Sequence, residues 1–298
     1  MPNAPHSSQR VVEQIVRWYR DNARDLPWRA PGCSPWAVLV SEVMLQQTPV
    51  ARVMPVWTEW MRRWPTPADL AGVSQADAVR AWGRLGYPRR ARNLWQCARA
   101  VVEHHRGDVP ADRDALLALP GVGDYTASAV LAFAFGRRAV VLDTNVRRVL
   151  ARVFGGEALP PVSLRRAERD LADLVAPDDA DAAAEWAVAS MELGALVCTA
   201  RSPRCPECPV AASCRWFGSG SPGLADAPVR TQQWHGTDRQ VRGRVMAILR
   251  AATAPVVVSG RTDLADIEPG QLDRCVDSLV ADGLVALTDA QRGLVELA

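Results

Sequence analysis

The sequence predicts a mainly α protein with a four-cysteine loop and a small α+β unit of winged-helix-like order at its C-terminus. Three observations carry this. Apolar residues recur three and four apart in most segments between residues 10 and 197, the spacing of a helix face. Four cysteines fall within residues 198–214. Residues 231–298 read as helix, strand, helix and hairpin.

The elements follow in order. Residues 10–20 place Val12, Ile15, Val16 and Tyr19 on one helical face, and Leu26-Pro27-Trp28-Arg29 reads as an extended break. A helix from Pro35 to Gln47 is limited by Pro49, and 50–64 continues helical to Pro65. Ser74 and Asp77 resemble a capping box for a helix through Trp82. Leu85-Gly86-Tyr87-Pro88 is a turn, followed by a helix over 89–105. Short helices over 112–118 and 124–135 flank Leu119-Pro120-Gly121-Val122-Gly123. Asp143 stands at the start of a helix through Val146, Val149 and Val153. Helices over 163–176 and 181–197 lead into Cys198, and Gly, Ser, Pro and Ala mark 218–230 as a linker.

A chain of 298 residues with 48% hydrophobic content has room for two or three domains and is not disordered throughout. No apolar run reaches membrane-spanning length and residues 1–9 lack a signal core, so a soluble, cytosolic protein is expected. The net charge is only +2, but all 35 basic residues are arginine. Without lysine no side-chain Schiff base can form. The arginines cluster: six lie between Arg84 and Arg106, a second group is Arg137, Arg138, Arg147, Arg148 and Arg152, and Arg201 and Arg204 lie in the cysteine loop. Solvated helix faces account for some of these; a surface that tracks phosphates accounts for all three groups together.

Cys198, Cys205, Cys208 and Cys214 follow the spacing C-x6-C-x2-C-x5-C. Four thiolates so close in sequence can enclose one metal centre; the metal-free alternative is a pair of disulfides, against which the lack of a secretory signal counts. Tetrahedral zinc remains open, but its sites usually pair two short knuckles and only one is present, so the wrapping spacing favours an iron–sulfur cube. The remaining cysteines, Cys33, Cys97 and Cys275, are scattered and expected to be inert.

Helix, Pro-Gly-x-Gly, helix is the pattern of a helix–hairpin–helix. Its glycines let a phosphate approach the backbone, and the N–H groups of the next helix point at it. Two carboxyls have contrasting expected environments. Glu42 has Val38, Leu39, Leu45 and Gln46 as helical neighbours and so faces the core, where desolvation raises its pKa and suits a general acid. Asp143 at a helix N-terminus is expected to stay anionic. Such a pair fits cleavage of a bond to a sugar anomeric carbon. Tyr87, on a turn among arginines, is a candidate for stacking on a base.

With these motifs in place, the chain resembles the helix–hairpin–helix DNA glycosylases of the endonuclease III superfamily. Leu26-Pro27-Trp28-Arg29 and Ser-Glu-Val-Met-Leu-Gln-Gln-Thr at 41–48 resemble the adenine DNA glycosylases within it. The resemblance spans about residues 10–217. It implies a two-lobed α region with a [4Fe–4S] cluster: residues 10–34 and 145–217 form the cluster lobe, residues 35–144 a six-helix lobe, and DNA enters between them. It implies Glu42 as general acid, Asp143 as the carboxylate stabilising the sugar cation, and Asn145 as its support. Tyr125 stands where lyase relatives carry lysine. Trp28, Arg29 and Leu45 match the adenine pocket, Gln47 and Tyr87 match duplex wedges, and Thr48, Gly121, Gly123, Arg201 and Arg204 are expected on DNA. Thr144 and Pro88 depart from the usual glycine and tyrosine.

The implied activity is that of a monomeric, monofunctional glycosylase acting on double-stranded DNA with 8-oxoguanine:adenine or guanine:adenine mispairs. The alternatives are an oxidised-pyrimidine lyase, against which Tyr125 and the missing lysine count, a thymine–guanine mismatch glycosylase, and a non-catalytic cluster-bearing DNA-binding protein. After the linker, the 231–298 unit is far smaller than the family's usual β-rich domain. Either the unit is a stabilising appendage that does not touch DNA, or His235, Arg239, Arg242 and Arg244 face the strand opposite adenine.

Overall fold

A computed structural model describes residues 5–224, 234–289 and 293–298, with side chains from Ser8 onward. The linker beyond Leu224 and the hairpin tip at 290–292 lie outside the described residues. The helices are α1 (Pro5–Asn22), α2 (Pro35–Leu45), α3 (Val50–Arg63), α4 (Pro67–Ala71), α5 (Gln75–Trp82), α6 (Arg89–His105), α7 (Arg113–Leu117), α8 (Asp124–Phe135), α9 (Thr144–Leu150), α10 (Arg166–Val175), α11 (Ala180–Leu196), α12 (Arg215–Gly218), α13 (Asp238–Ala251) and α14 (Pro269–Ala281). Strands β1 (Val256–Val257), β2 (Val285–Asp289) and β3 (Leu294–Leu297) form an antiparallel sheet in the order β1-β3-β2.

Most boundaries agree with the sequence to within three residues. The break at 26–29 is corrected: Pro27–Arg29 is a 3-10 turn that buries Trp28. α4 was not expected; Thr66 and Asp69 start it with a reciprocal capping box. The α9 helix runs into a π-helical turn, Ala151–Gly155.

Packing divides the chain into two compact units. One holds residues 1–38, 111–117 and 122–229, the other 39–110, 118–121 and 230–298. The expected boundary at residue 144 is therefore not the boundary of packing. The reason lies in α8, whose Ala129 and Ala132 pack with Val141 and with Ala187 of α11. α8 and α11 lack a polar stripe, as befits helices surrounded by protein. The rest of the first unit's core joins Ile15, Val149, Leu193 and Trp216.

In the second unit tryptophans carry the core. Trp60 meets Trp64 and Trp82 edge-on, with centroids 4.9 and 5.5 Å apart. Its C-terminal part shows the winged-helix-like order, with Val241, Val245, Leu249, Leu272, Cys275 and Leu279 buried under the sheet residues Val285, Val295 and Leu297. No helix among the described residues is long and apolar enough to cross a membrane.

Candidate active site and cluster loop

Asp143 caps α9 as its sequence position predicts. Its Oδ1 accepts from the backbone N–H of Asn145 (2.9 Å) and Val146 (2.7 Å), and its Oδ2 accepts from Asn145 Nδ2 (2.7 Å). Burial pushes the Asp143 carboxyl up from its ordinary value, against the hydrogen bonds from Val146 and Asn145 and the charge of Arg148.

Asn145 is held in turn by Arg148. The Arg148 guanidinium donates to Asn145 Oδ1 (2.8 Å), to the carbonyl of Gly194 (2.6 Å) and to the carbonyl of Cys198 (2.6 Å). A continuous polar chain thus runs from Asp143 to the first cysteine of the loop. Gly194 permits it, since a Cβ there would lie 2.7 Å from the Cβ of Asn145. Tyr125, in the first turn of α8, packs on the cluster formed by Ala129 and Ala187.

The second basic group is corrected in part: Arg148 and Arg152 are buried and Arg147 is paired with Glu168, so these three organise the interior, whereas Arg137 is exposed. Arg152 is fully buried. It donates to the carbonyls of Ala158 (2.8 Å), Thr199 (2.7 Å) and Ala200 (3.0 Å), lies 3.4 Å from Cys198 Sγ, and covers the Trp216 ring at 4.4 Å. Arg138 is bound to Asp173.

The four cysteines, Cys198, Cys205, Cys208 and Cys214, line one cavity with Arg152 and Trp216. None is in a disulfide. Four thiols around one cavity are the donor set of an iron–sulfur cube. Burial pushes the Cys208 thiol up to about 11, and burial likewise raises Cys205 and Cys214, with the neighbouring cysteines adding to it. A positively charged centre is what would hold four such thiolates together. Arg204, on this loop, bonds the carbonyl of Leu196 (2.6 Å) and Glu207 (2.9 Å). Arg201 is exposed.

Trp28 is buried, and Arg29 beside it donates to Glu192 (2.9 Å). Glu192 is fully buried and accepts three bonds from Arg24 as well. No motif singles Glu192 out, yet a signal exists: it is the lone charge between Trp186 and Val197. The other arginine nitrogen, Arg29 Nη1, is buried without a hydrogen-bond partner.

In the second unit, Glu42 is 5% exposed on α2, as its helical neighbours predict. Leu45 ends that helix half-buried. Gln47 is exposed with φ 54°, and Tyr87 is 42% exposed with φ 48°, both left-handed conformations uncommon for non-glycine residues. Arg90 holds both turns. It donates to the carbonyls of Val43 (3.0 Å), Met44 (3.1 Å), Gln46 and Gly86 (3.2 Å) and to Thr48 Oγ1 (3.0 Å), and lies over the Tyr87 ring at 5.3 Å. Burial lowers Arg90 to about 10, which leaves it charged at neutral pH. Thr48 is itself buried, its hydroxyl engaged by Arg90.

In the hairpin, Gly121 has φ 78°, and a Cβ there would lie 2.7 Å from that of Asn93, so only glycine fits. Gly123 is exposed and opens onto free space at the start of α8.

A family model described as HhH-GPD superfamily base excision DNA repair protein matches residues 40–177. One described as the iron-sulfur binding domain of endonuclease III matches residues 198–214. The adenine DNA glycosylase of Mycobacterium tuberculosis (strain CDC 1551 / Oshkosh) is 51% identical over 92% of this chain and 90% of its own. That of Mycolicibacterium smegmatis is 48% identical over 92% of each. A solved thermostable thymine-DNA glycosylase superposes with TM-score 0.65 at 28% identity, over 72% of this chain and 98% of that one.

Proposed function

Because this chain belongs to the adenine DNA glycosylases of base excision repair, we propose that it excises adenine mispaired with 8-oxoguanine, or with guanine, as a monomeric and monofunctional hydrolase. The observation that carries the proposal is Glu42, a glutamate 5% exposed on a helix whose C-terminal end is fixed by Arg90. Adenine leaves poorly as an anion, so the reaction needs an acid kept from bulk water.

In this reading the duplex is kinked and adenine leaves the stack. Gln47 and Tyr87 wedge into the vacated space, while Trp28, Arg29 and Leu45 contact the base. Glu42 protonates adenine at N7 and the glycosidic bond lengthens. Asp143, oriented by Asn145, stabilises the oxocarbenium-like sugar until water adds. The positive charge developing on the sugar favours the Asp143 anion against the burial that opposes it. Tyr125 offers no amine, so no strand-cleaving Schiff base forms. Gly121 and Gly123 receive a phosphate, with Arg201 on the backbone beyond. Arg204, engaged by Glu207, and the buried Thr48 shape their loops.

The cofactor is a [4Fe–4S] cluster, which Cys198, Cys205, Cys208 and Cys214 would hold. When bound it closes the 198–214 loop around a charged centre and is not needed for proton transfer.

A gel assay on 8-oxoguanine:adenine, guanine:adenine, thymine:guanine and oxidised-pyrimidine duplexes, with and without alkali, tests the proposal. Cleavage at adenine only after alkali is expected. Strand scission without alkali, or excision confined to thymine, would overturn it.

A further inference from the structure

The C-terminal unit is anchored to the six-helix region at the foot of α6. Arg92 donates to the carbonyl of Asp282, Arg89 lies 3.4 Å from the Asp282 carboxylate, and Gln75 Nε2 donates to the carbonyls of Gly283 (2.7 Å) and Ala298 (3.1 Å). A Cβ on Gly283 would stand 3.0 Å from Arg92, so the turn is seated closely. The turn that bears Tyr87 immediately precedes α6. From the start of α13, Arg239 places its guanidinium 4.9 Å from the Tyr87 ring centre and 5.5 Å from that of Trp234. Tyr87 and Trp234 are 42% and 48% exposed, in a chain where most tryptophans are buried. Of the arginines first expected to face DNA from this unit, Arg242 is engaged by Asp282 and Ser278, and Arg244 by Asp266. That expectation is corrected for both, and Arg239 has a different geometry.

We propose that Arg239 is a positioning residue for Tyr87, through which the C-terminal unit sets the wedge, and that Trp234 extends the same stacking surface towards an unstacked nucleobase. A planar guanidinium between two exposed rings fixes the rings by cation–π attraction. Alternating guanidinium and aromatic planes are also the surface on which unpaired bases stack. Tyr87 needs such fixing, since its left-handed backbone is strained and Arg90 is its other cation–π partner. The proposal rests on Tyr87 acting as a wedge.

The test is a double-mutant cycle on the full chain with its cluster, using Tyr87→Ala, Arg239→Ala and Arg239→Lys. The probe is a duplex with 2-aminopurine beside 8-oxoguanine in the strand opposite adenine, read by fluorescence on binding and by single-turnover base release. Arg239→Ala should reduce the unstacking signal and mispair affinity roughly 2- to 5-fold, the scale of an exposed cation–π contact. Arg239→Lys should restore affinity for a matched duplex but only part of the unstacking signal, because lysine keeps charge without planarity. In the Tyr87→Ala background, Arg239→Ala should change neither. Full rescue by lysine, or additive losses in the double variant, would overturn the proposal and leave Arg239 a phosphate contact. If Tyr87→Ala alone left the signal unchanged, the wedge reading itself would fail.

Discussion

Arg29 meets Glu192 through one nitrogen only: its Nη2 donates at 2.9 Å, and its Nη1 stays buried with no hydrogen-bond partner. The same guanidinium lies over the Tyr19 ring at 5.8 Å. Under the proposed function Nη1 is the nitrogen that would meet the extruded base. Burial raises the Glu192 carboxyl, but the bonds from Arg24 and Arg29 and the charge of Arg29 outweigh it and bring it down to about 2.

That depression links Glu192 to acid stability. The folded value lies below the unfolded one, so the contribution is full above the ordinary carboxylate range and is lost as pH falls towards about 2. Glu192→Gln should lose about 2–3 kcal/mol at neutral pH, less than a wholly buried pair because the Arg24 side chain is 34% exposed. Its melting temperature should also vary less than the parent's below about pH 5. Thermal scans across that range decide; equal slopes in both proteins would refute the linkage.

Glu42→Gln keeps the shape and removes the proton donor. Single-turnover release of adenine should fall by roughly three orders of magnitude or more, with duplex affinity little changed. Near-parental turnover would remove Glu42 from the mechanism.

Gly194→Ala drives a methyl group into Asn145. The Asp143–Asn145–Arg148 chain must then shift, and base release is expected to drop at least about tenfold, as misplacement of a reacting group does. Iron content and the broad absorbance near ~400 nm should persist, separating this effect from loss of the cluster. Unchanged rates would show that the α9–α11 contact does not set Asp143.

Arg201 and Arg204 should differ on DNA. Arg201→Ala should make the salt dependence of binding shallower by about one unit, the loss of one phosphate contact. Arg204→Ala should move it less, because Glu207 and the Leu196 carbonyl already hold that side chain. Binding titrations at several salt concentrations test this, and equal shifts would count against the distinction.

Features set within a few residues of chain were legible from the sequence. The Asp143 cap, the α6 and α8 boundaries, the hairpin glycines and the cysteine spacing all depend on neighbours inside one turn or loop. The burial of Glu42 followed from its helical neighbours, and the helix–strand–helix–hairpin order of the tail from periodicity alone. The fate of the arginines was not legible. Clustered in sequence, Arg147, Arg148 and Arg152 suggest a phosphate-binding face, yet Arg147 meets Glu168, and Arg148 and Arg152 reach up to 50 residues away to Gly194, Cys198 and Thr199.

The sequence by itself determined the helical framework, the absence of any lysine nucleophile, the four thiols of the loop and the local settings of Glu42 and Asp143. Local spacing and side-chain chemistry specify these, and no distant contact alters them. Only the tertiary structure decided which charges are spent inside the protein and which remain for a ligand. Glu192 became the partner of Arg24 and Arg29, Arg148 the link from Asn145 to Cys198, and Arg239 the neighbour of Tyr87. A guanidinium has the same sequence signature whether it faces solvent, a carboxylate or an aromatic ring. Which of these it meets is set when distant segments pack and exclude water from between them.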